Sequence, residues 1–102
     1  MRQALRVAGE CELPVVVSSA VESSVGLAAG VALAAALPEL DYDCGLATTS
    51  LLTGDVTADP LRPAGGLLPV RFVVVDVEQL APWECDPRPW RDRALAAAEF
   101  LQ

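Results

Sequence analysis

The 102-residue chain contains no histidine and no lysine. Without histidine it cannot build a Ser-His-Asp or Cys-His relay from its own residues. Without lysine it holds no Schiff-base lysine, no P-loop lysine and no lysine general base. Positive charge is scarce. Seven arginines face 14 acids, for a net charge of −7. With a pI near 4.3, the chain lacks the basic surface that nucleic-acid backbones require, and anionic membranes are disfavoured for the same reason. Cysteine is also sparse: Cys11, Cys44 and Cys85 are odd in number and far apart. No CxxC pair occurs, so neither a zinc knuckle nor a thioredoxin-like site is expected. A secreted disulfide scaffold needs a denser, even set. The expectation is three reduced thiols in a cytoplasmic protein.

The longest apolar run, Val25 to Leu37, has no charged or polar side chain. Its length falls short of the roughly 20 residues that span a bilayer. Glu22 bounds it on one side and Pro38, Glu39 and Asp41 on the other. Gly26-x-x-x-Gly30 reads as the close approach of a soluble helix to a sheet rather than a membrane dimer face. A signal peptide is not expected either, because Glu10, Glu12 and Glu22 stand where a basic leader belongs.

What is present alternates. Residues 2 to 12 place Ala4, Leu5, Val7, Ala8 and Cys11 at helical spacing. That helix is expected to end near Glu12, ahead of Leu13-Pro14. Val15-Val16-Val17 is wholly apolar, the pattern of a strand buried on both faces of a parallel sheet. It runs into Ser18-Ser19-Ala20-Val21-Glu22-Ser23-Ser24. Serines gather where a strand gives way to a helix, because their hydroxyls cap free N–H groups. A helix from Ser24 to Leu37 follows, stopped by Pro38. After the acidic loop Glu39 to Asp43, Cys44-Gly45-Leu46-Ala47 is a second short strand. Thr48 or Thr49 then caps a helical turn through Leu51-Leu52. Strand–helix–strand order means a βαβ unit and parallel strands.

The second half changes character. Pro60, Pro63, Gly65, Gly66 and Pro69 punctuate residues 54 to 69. Gly65-Gly66 predicts a hairpin turn. Val70 to Val77 is rich in β-branched residues and reads as a strand. Trp90 to Gln102 returns to helical spacing, with Leu95, Ala98 and Leu101 on one side. Residues 1–53 are thus expected to form one unit and residues 54–102 a hairpin and tail.

Two strands apolar on both faces make a poor free-standing sheet. A complete eight-stranded (β/α) barrel needs about 250 residues. The alternating half therefore looks like the end of a barrel.

From Pro14 to Gly30 the sequence PVVVSSAVESSVGLAAG resembles the seventh strand and following helix of o-succinylbenzoate synthases, in the enolase superfamily. The likeness continues through Leu37-Pro38 and into Cys44-Gly45-Leu46-Ala47-Thr48, which looks like the eighth strand. Asp55 to Leu61 and the turn to Leu68-Pro69-Val70 also fit, where such a chain leaves the barrel towards the capping domain. Ser-Ser-x-x-Glu-Ser-Ser is the most specific element. From Arg71 onward only a generic tail is recognised. The fold this implies is α/β: the C-terminal portion of a (β/α)7β barrel with its last two strands and helices, plus a hairpin and a helical tail.

The resemblance implies a cytoplasmic lyase of menaquinone biosynthesis, a dehydratase that forms o-succinylbenzoate. In that family a lysine takes the proton beside a carboxylate, and Mg²⁺ stabilises the enediolate. A second lysine faces the first, and acidic residues hold the metal. None of these matches a residue of this chain, and they would lie upstream of Met1. By the match, Ser18, Ser19 and Gly45 would bind the carboxylate of a small-molecule substrate, and the free amides and positive dipole end of the helix after the serines are a natural carboxylate site. The chain alone is expected to be inactive, with oligomeric state left open. Two alternatives stand beside this reading: a non-catalytic remnant or partner-binding module, and a related superfamily enzyme such as an N-acylamino acid racemase.

Local readings compete residue by residue. Ser18, Ser19, Ser23 and Ser24 also suit caps and turns. Gly45 also suits close packing at a strand end. Glu22 favours a first helical turn. Glu39, Asp41 and Asp43 lack the remaining ligands and the glycine of an EF-hand loop. Asp55 and Asp59 read as turn formers before Pro60. Trp83 and Trp90 read as packing anchors.

Overall fold

Helix α1 (Arg2–Glu10) opens the chain in a computed structural model that describes residues 2–100. Leu5 and Ala8 are half-buried, and no α1 residue is fully buried. Arg6 and Glu10 form an exposed i,i+4 ion pair at 2.7 Å, worth roughly 0.3–0.5 kcal/mol. The helix stops in a Schellman motif. The Leu13 amide donates to the Ala8 carbonyl at 2.9 Å and the Glu12 amide to the Gly9 carbonyl at 3.3 Å. This geometry needs a left-handed residue in the penultimate place, and Glu12 supplies it at φ +53°. Pro14 then prevents any return to helix.

Helix α2 (Ser24–Ala35) is the centre of the fold. Ser24, Leu27, Val31 and Ala34 recur at spacings of three and four and are all buried. They make one stripe, which packs with Val17, Leu46 and Leu61. At Gly30 a side chain would stand 3.1 Å from Leu46 Cδ2, so the expected close approach is made. The helix ends two residues before the expected Leu37, and Ala36 closes it.

The expected strands do not form as strands among the described residues. Residues 15–18 and 44–47 meet in a single parallel bridge, Ser18 to Gly45. Two bonds make it: the Gly45 amide to the Val17 carbonyl at 3.0 Å, and the Ser19 amide to the Gly45 carbonyl at 2.9 Å. The reason is the number of neighbours. An interior parallel strand is paired on both edges and covered on both faces, yet each segment here meets one neighbour. Val16 is 50% exposed, so one face of the first segment is bare. The barrel sheet expected from the sequence is thus reduced to one rung.

Residues Thr48–Leu51 form a 3-10 turn without a side-chain cap; the threonine hydroxyls are used elsewhere. Gly65 and Gly66 sit at φ +58° and +80°, the pair of left-handed residues of a type I′ turn. Ala64 and Leu67 exchange both bonds across it, at 2.9 and 3.1 Å. No ladder continues from that pair.

Residues 70–76 form no strand, and their one backbone bond to an earlier segment is the Asp76 amide on the Val56 carbonyl at 2.9 Å. The strand expected over 70–77 is therefore absent, and its last residue begins helix α3 (Val77–Leu80). The Asp76 carboxylate caps α3 by accepting from the Glu78 and Gln79 amides. A 3-10 turn, Ala81–Trp83, follows. Helix α4 (Arg88–Glu99) starts two residues earlier than expected, and all its residues are exposed. Leu101, expected on its apolar side, lies outside the described residues. Before α4, the Arg88 guanidinium beside Asp86 holds that exposed carboxyl below its ordinary range.

Burial is incomplete for a chain of this size. The accessible surface is 8021 Å², against about 5,500 Å² for a compact protein of this mass. The radius of gyration is 16.0 Å, against about 13 Å for a compact domain. The molecule is a plate 45 × 42 × 20 Å.

Candidate functional site

The bridge between residues 18 and 45 brings together the three residues that the sequence singles out. Gly45 is tied to both Val17 and Ser19 through its backbone. A β-carbon at Gly45 would lie 2.9 Å from Ser18 Oγ. The Ser18 hydroxyl therefore stands over the bare side of Gly45, a space that any larger residue would fill. Ser18 and Gly45 are exposed, and no partner for the Ser18 hydroxyl appears among the described residues.

Ser19 differs from its neighbour. Its hydroxyl donates to the Gly45 carbonyl at 3.0 Å and shares a 2.7 Å hydrogen bond with Thr48 Oγ1. Both bonds stay within the protein. Of the two serines, Ser18 presents a hydroxyl outward and Ser19 fastens the two segments together. Thr48, read from the sequence as a possible helix cap, is the residue that sequence reasoning missed here. Its proximity to Ser19 follows from the bridge register, and nothing in the local sequence signals it.

The segment between these serines and α2 is held in an unusual form. Val21 has φ +65°, a left-handed conformation that a β-branched residue rarely adopts. Glu22 folds back so that Oε2 accepts from the Ala20 amide at 2.8 Å. This gives Glu22 a loop-bracing role in place of the helix-start role expected for it.

The N-terminus of α2 is not an open anion site. The Asp55 carboxylate accepts from the Ser24 amide at 3.1 and 3.2 Å and from the Ser24 hydroxyl. Ser23 makes no side-chain cap. The cap comes from 31 residues downstream, from a residue the sequence marks only as a turn former. A carboxylate at a helix start is stabilised by the dipole and the free amides. Here the protein's own carboxylate takes that place. Ser24 Oγ in turn accepts from the Leu61 amide at 2.8 Å, and the buried Thr49 hydroxyl donates to the Leu61 carbonyl at 2.9 Å. Leu61 is thus fastened at both backbone groups.

Two open troughs, of about 910 and 750 Å³, lie elsewhere and are not lined by Ser18, Ser19 or Gly45. Among the described residues, no group of three or more His, Cys, Asp or Glu side chains could hold a metal ion. The Mg²⁺ implied by the resemblance finds no fitting donor set among the described residues. No helix among the described residues is long and apolar enough to cross a membrane.

No family model matches the chain. Curated relatives do. The chain is 66% identical over 97 residues to an o-succinylbenzoate synthase of Thermobifida fusca, covering 95% of this chain and 31% of the relative. It is 49% identical over 100 residues to the o-succinylbenzoate synthase of Mycobacterium leprae, covering 95% of this chain and 30% of the relative. The o-succinylbenzoate synthase of Mycobacterium tuberculosis H37Rv is 44% identical over 100 residues, with the same coverages of 95% and 30%. The chain spans about three-tenths of the length of these relatives.

Proposed function

We propose that this chain, homologous over nearly its whole length to o-succinylbenzoate synthases, supplies the part of such an enzyme that faces a substrate carboxylate. The whole enzyme is then a cytoplasmic lyase of menaquinone biosynthesis: a Mg²⁺-dependent dehydratase of the enolase superfamily. Proton-transferring lysines and metal ligands come from residues outside this chain, which has no lysine. Residues 1–53 form the end of the barrel, and residues 54–102 return towards the capping domain.

One observation supports the reading above the others. The Ser18 hydroxyl stands over the bare face of Gly45, at the C-terminal end of the strand segment, where barrel enzymes place their sites. A carboxylate oxygen there accepts from the Ser18 hydroxyl and approaches the Gly45 backbone. Ser19 holds the bridge that sets this spacing. Asp55 excludes a second anion from the start of α2, which directs the substrate carboxylate to Ser18.

The test is an exchange of segments. In the Thermobifida fusca enzyme, the matching segment is replaced by this chain and dehydration is followed. An active chimaera is expected. Ser18→Ala in it should raise KM about tenfold or more with kcat little changed, the loss of one hydrogen bond to a charged group. An inactive chimaera, or a Ser18→Ala variant with unaltered KM, counts against the assignment.

A second reading, a partner-binding module without catalysis, draws on the exposed surface, about 2,500 Å² above that of a compact protein. It predicts a stable soluble oligomer of the 102-residue chain.

A further inference from the structure

The hydroxyl of Thr48 has a task that follows from proton counting. Ser19 Oγ carries one hydrogen. The Gly45 carbonyl, 3.0 Å away, can only accept. With that hydrogen given to Gly45, Ser19 Oγ must accept in its other contact, so Thr48 Oγ1 is the donor across 2.7 Å. The chain of bonds then runs in one direction: Thr48 to Ser19 to the Gly45 carbonyl. The same carbonyl also receives the Ser19 amide at 2.9 Å. Bonds aligned in series polarise one another, so removing the first donor weakens the second.

We infer that Thr48 is a positioning residue, which through Ser19 fixes the Gly45 carbonyl and so sets the spacing between the Ser18 hydroxyl and the open face of Gly45. The geometry leaves little slack at that face, since a β-carbon on Gly45 would already crowd Ser18 Oγ at 2.9 Å. Thr48 is half-buried at the start of a 3-10 turn, and no hydrogen-bond partner but Ser19 appears for its hydroxyl among the described residues. Its hydroxyl thus does not cap the turn it opens. The neighbouring Thr49 serves a different purpose and holds Leu61 instead. This inference rests on the reading of Ser18 and Gly45 as the carboxylate-facing pair.

Two measurements test it, using Thr48→Val, which keeps the shape and removes the hydroxyl, and Thr48→Ser, which restores it. The first is amide hydrogen exchange on the 102-residue chain. Thr48→Val should speed exchange at Ser19 and Gly45 by roughly 3- to 10-fold, the effect of one lost hydrogen bond. Exchange at Leu27, inside α2, should stay unchanged, and Thr48→Ser should return both amides to the parent rates. Unaltered exchange at Ser19 and Gly45, or no protection there in the parent, overturns the inference. The second is steady-state kinetics in the chimaera. Thr48→Val should raise KM by a similar factor with kcat within about twofold, and Thr48→Ser should restore KM. If Ser18→Ala raises KM while Thr48→Val does not, the role of Thr48 falls and the site stands. If Ser18→Ala leaves KM unchanged, the site itself falls, whatever the exchange rates show.

Discussion

Two regions of this molecule bury their apolar residues very differently. Between Val17 and Leu61, the side chains of Leu27, Val31, Leu46 and Leu61 close on one another. Ser24, Thr49 and Asp55 satisfy the backbone around them. From Val70 to Phe100, most apolar residues are exposed, Phe72 by 98% and Phe100 by 91%, and Val73 alone is among those packed against the core. Apolar content does not separate the two, since apolar residues make up about half of each, although the second carries more charge and only two leucines, Leu80 and Leu95. The difference is the number of partners. A helix stripe can be covered by a few local segments, whereas an extended apolar segment needs strands beside it. The second region has the sequence of structure that completes itself against something else.

The sharpest test of this contrast is a matched pair of truncations, read by urea unfolding of the 102-residue chain. Leu61→Ala removes a fully buried side chain and should cost about 2–5 kcal/mol. Phe72→Ala removes a larger side chain that touches little and should stay within about 0.5 kcal/mol. If Phe72→Ala costs as much as Leu61→Ala, the second region is covered in solution. Concentration dependence of the transition would then identify self-association as the cover.

The seam between the regions offers a smaller effect. At Gly54 a β-carbon would stand 2.4 Å from Trp83 Cζ2. Gly54→Ala therefore forces the indole to move, and overpacking of this kind costs roughly 1–3 kcal/mol. Trp83 is half exposed, so the shift should also appear in tryptophan fluorescence. Trp90 serves as internal control, because it lies on the exposed α4 with Arg93 over its ring. An unchanged spectrum with unchanged stability would mean that Trp83 does not rest on Gly54.

How much of this was legible in the sequence follows the range of each interaction. The helix at Ser24–Ala35 was readable because serines, an apolar run and Pro38 all lie within it or beside it. The Gly65-Gly66 turn was readable because two left-handed residues in a row leave glycine as the natural choice. Ser18, Ser19 and Gly45 were singled out from the serine cluster and the family likeness, and the bridge brings them together. What escaped the sequence acts over distance. Asp55 caps a helix 31 residues upstream, and Thr48 and Thr49 turn from their own turn to Ser19 and Leu61. The expected strands fall short for a related reason. Valine runs state a preference for sheet, but a strand exists only when its edges are paired, and the pairing here stops at one rung.

The smallest effect expected lies at the end of α1, where the sequence placed a helix stop but gave no glycine. Glu12 closes the Schellman motif at φ +53°, a conformation that costs a residue with a β-carbon about 1–2 kcal/mol. Glycine removes that cost and gives part of it back through the greater freedom of the unfolded chain. Glu12→Gly should therefore stabilise α1 by about 0.5–1 kcal/mol. Because α1 has no fully buried residue, this gain should appear in local amide exchange near Cys11 and Leu13 more than in global unfolding. Charge is the competing cause, since the chain carries −7 and any loss of an acid relieves repulsion. Glu12→Ala separates the two. It removes the same charge but keeps the β-carbon in the left-handed region, so it should leave α1 within a few tenths of a kcal/mol of the parent. Equal gains from alanine and glycine would assign the effect to electrostatics, and the backbone at Glu12 would then carry no strain worth relieving.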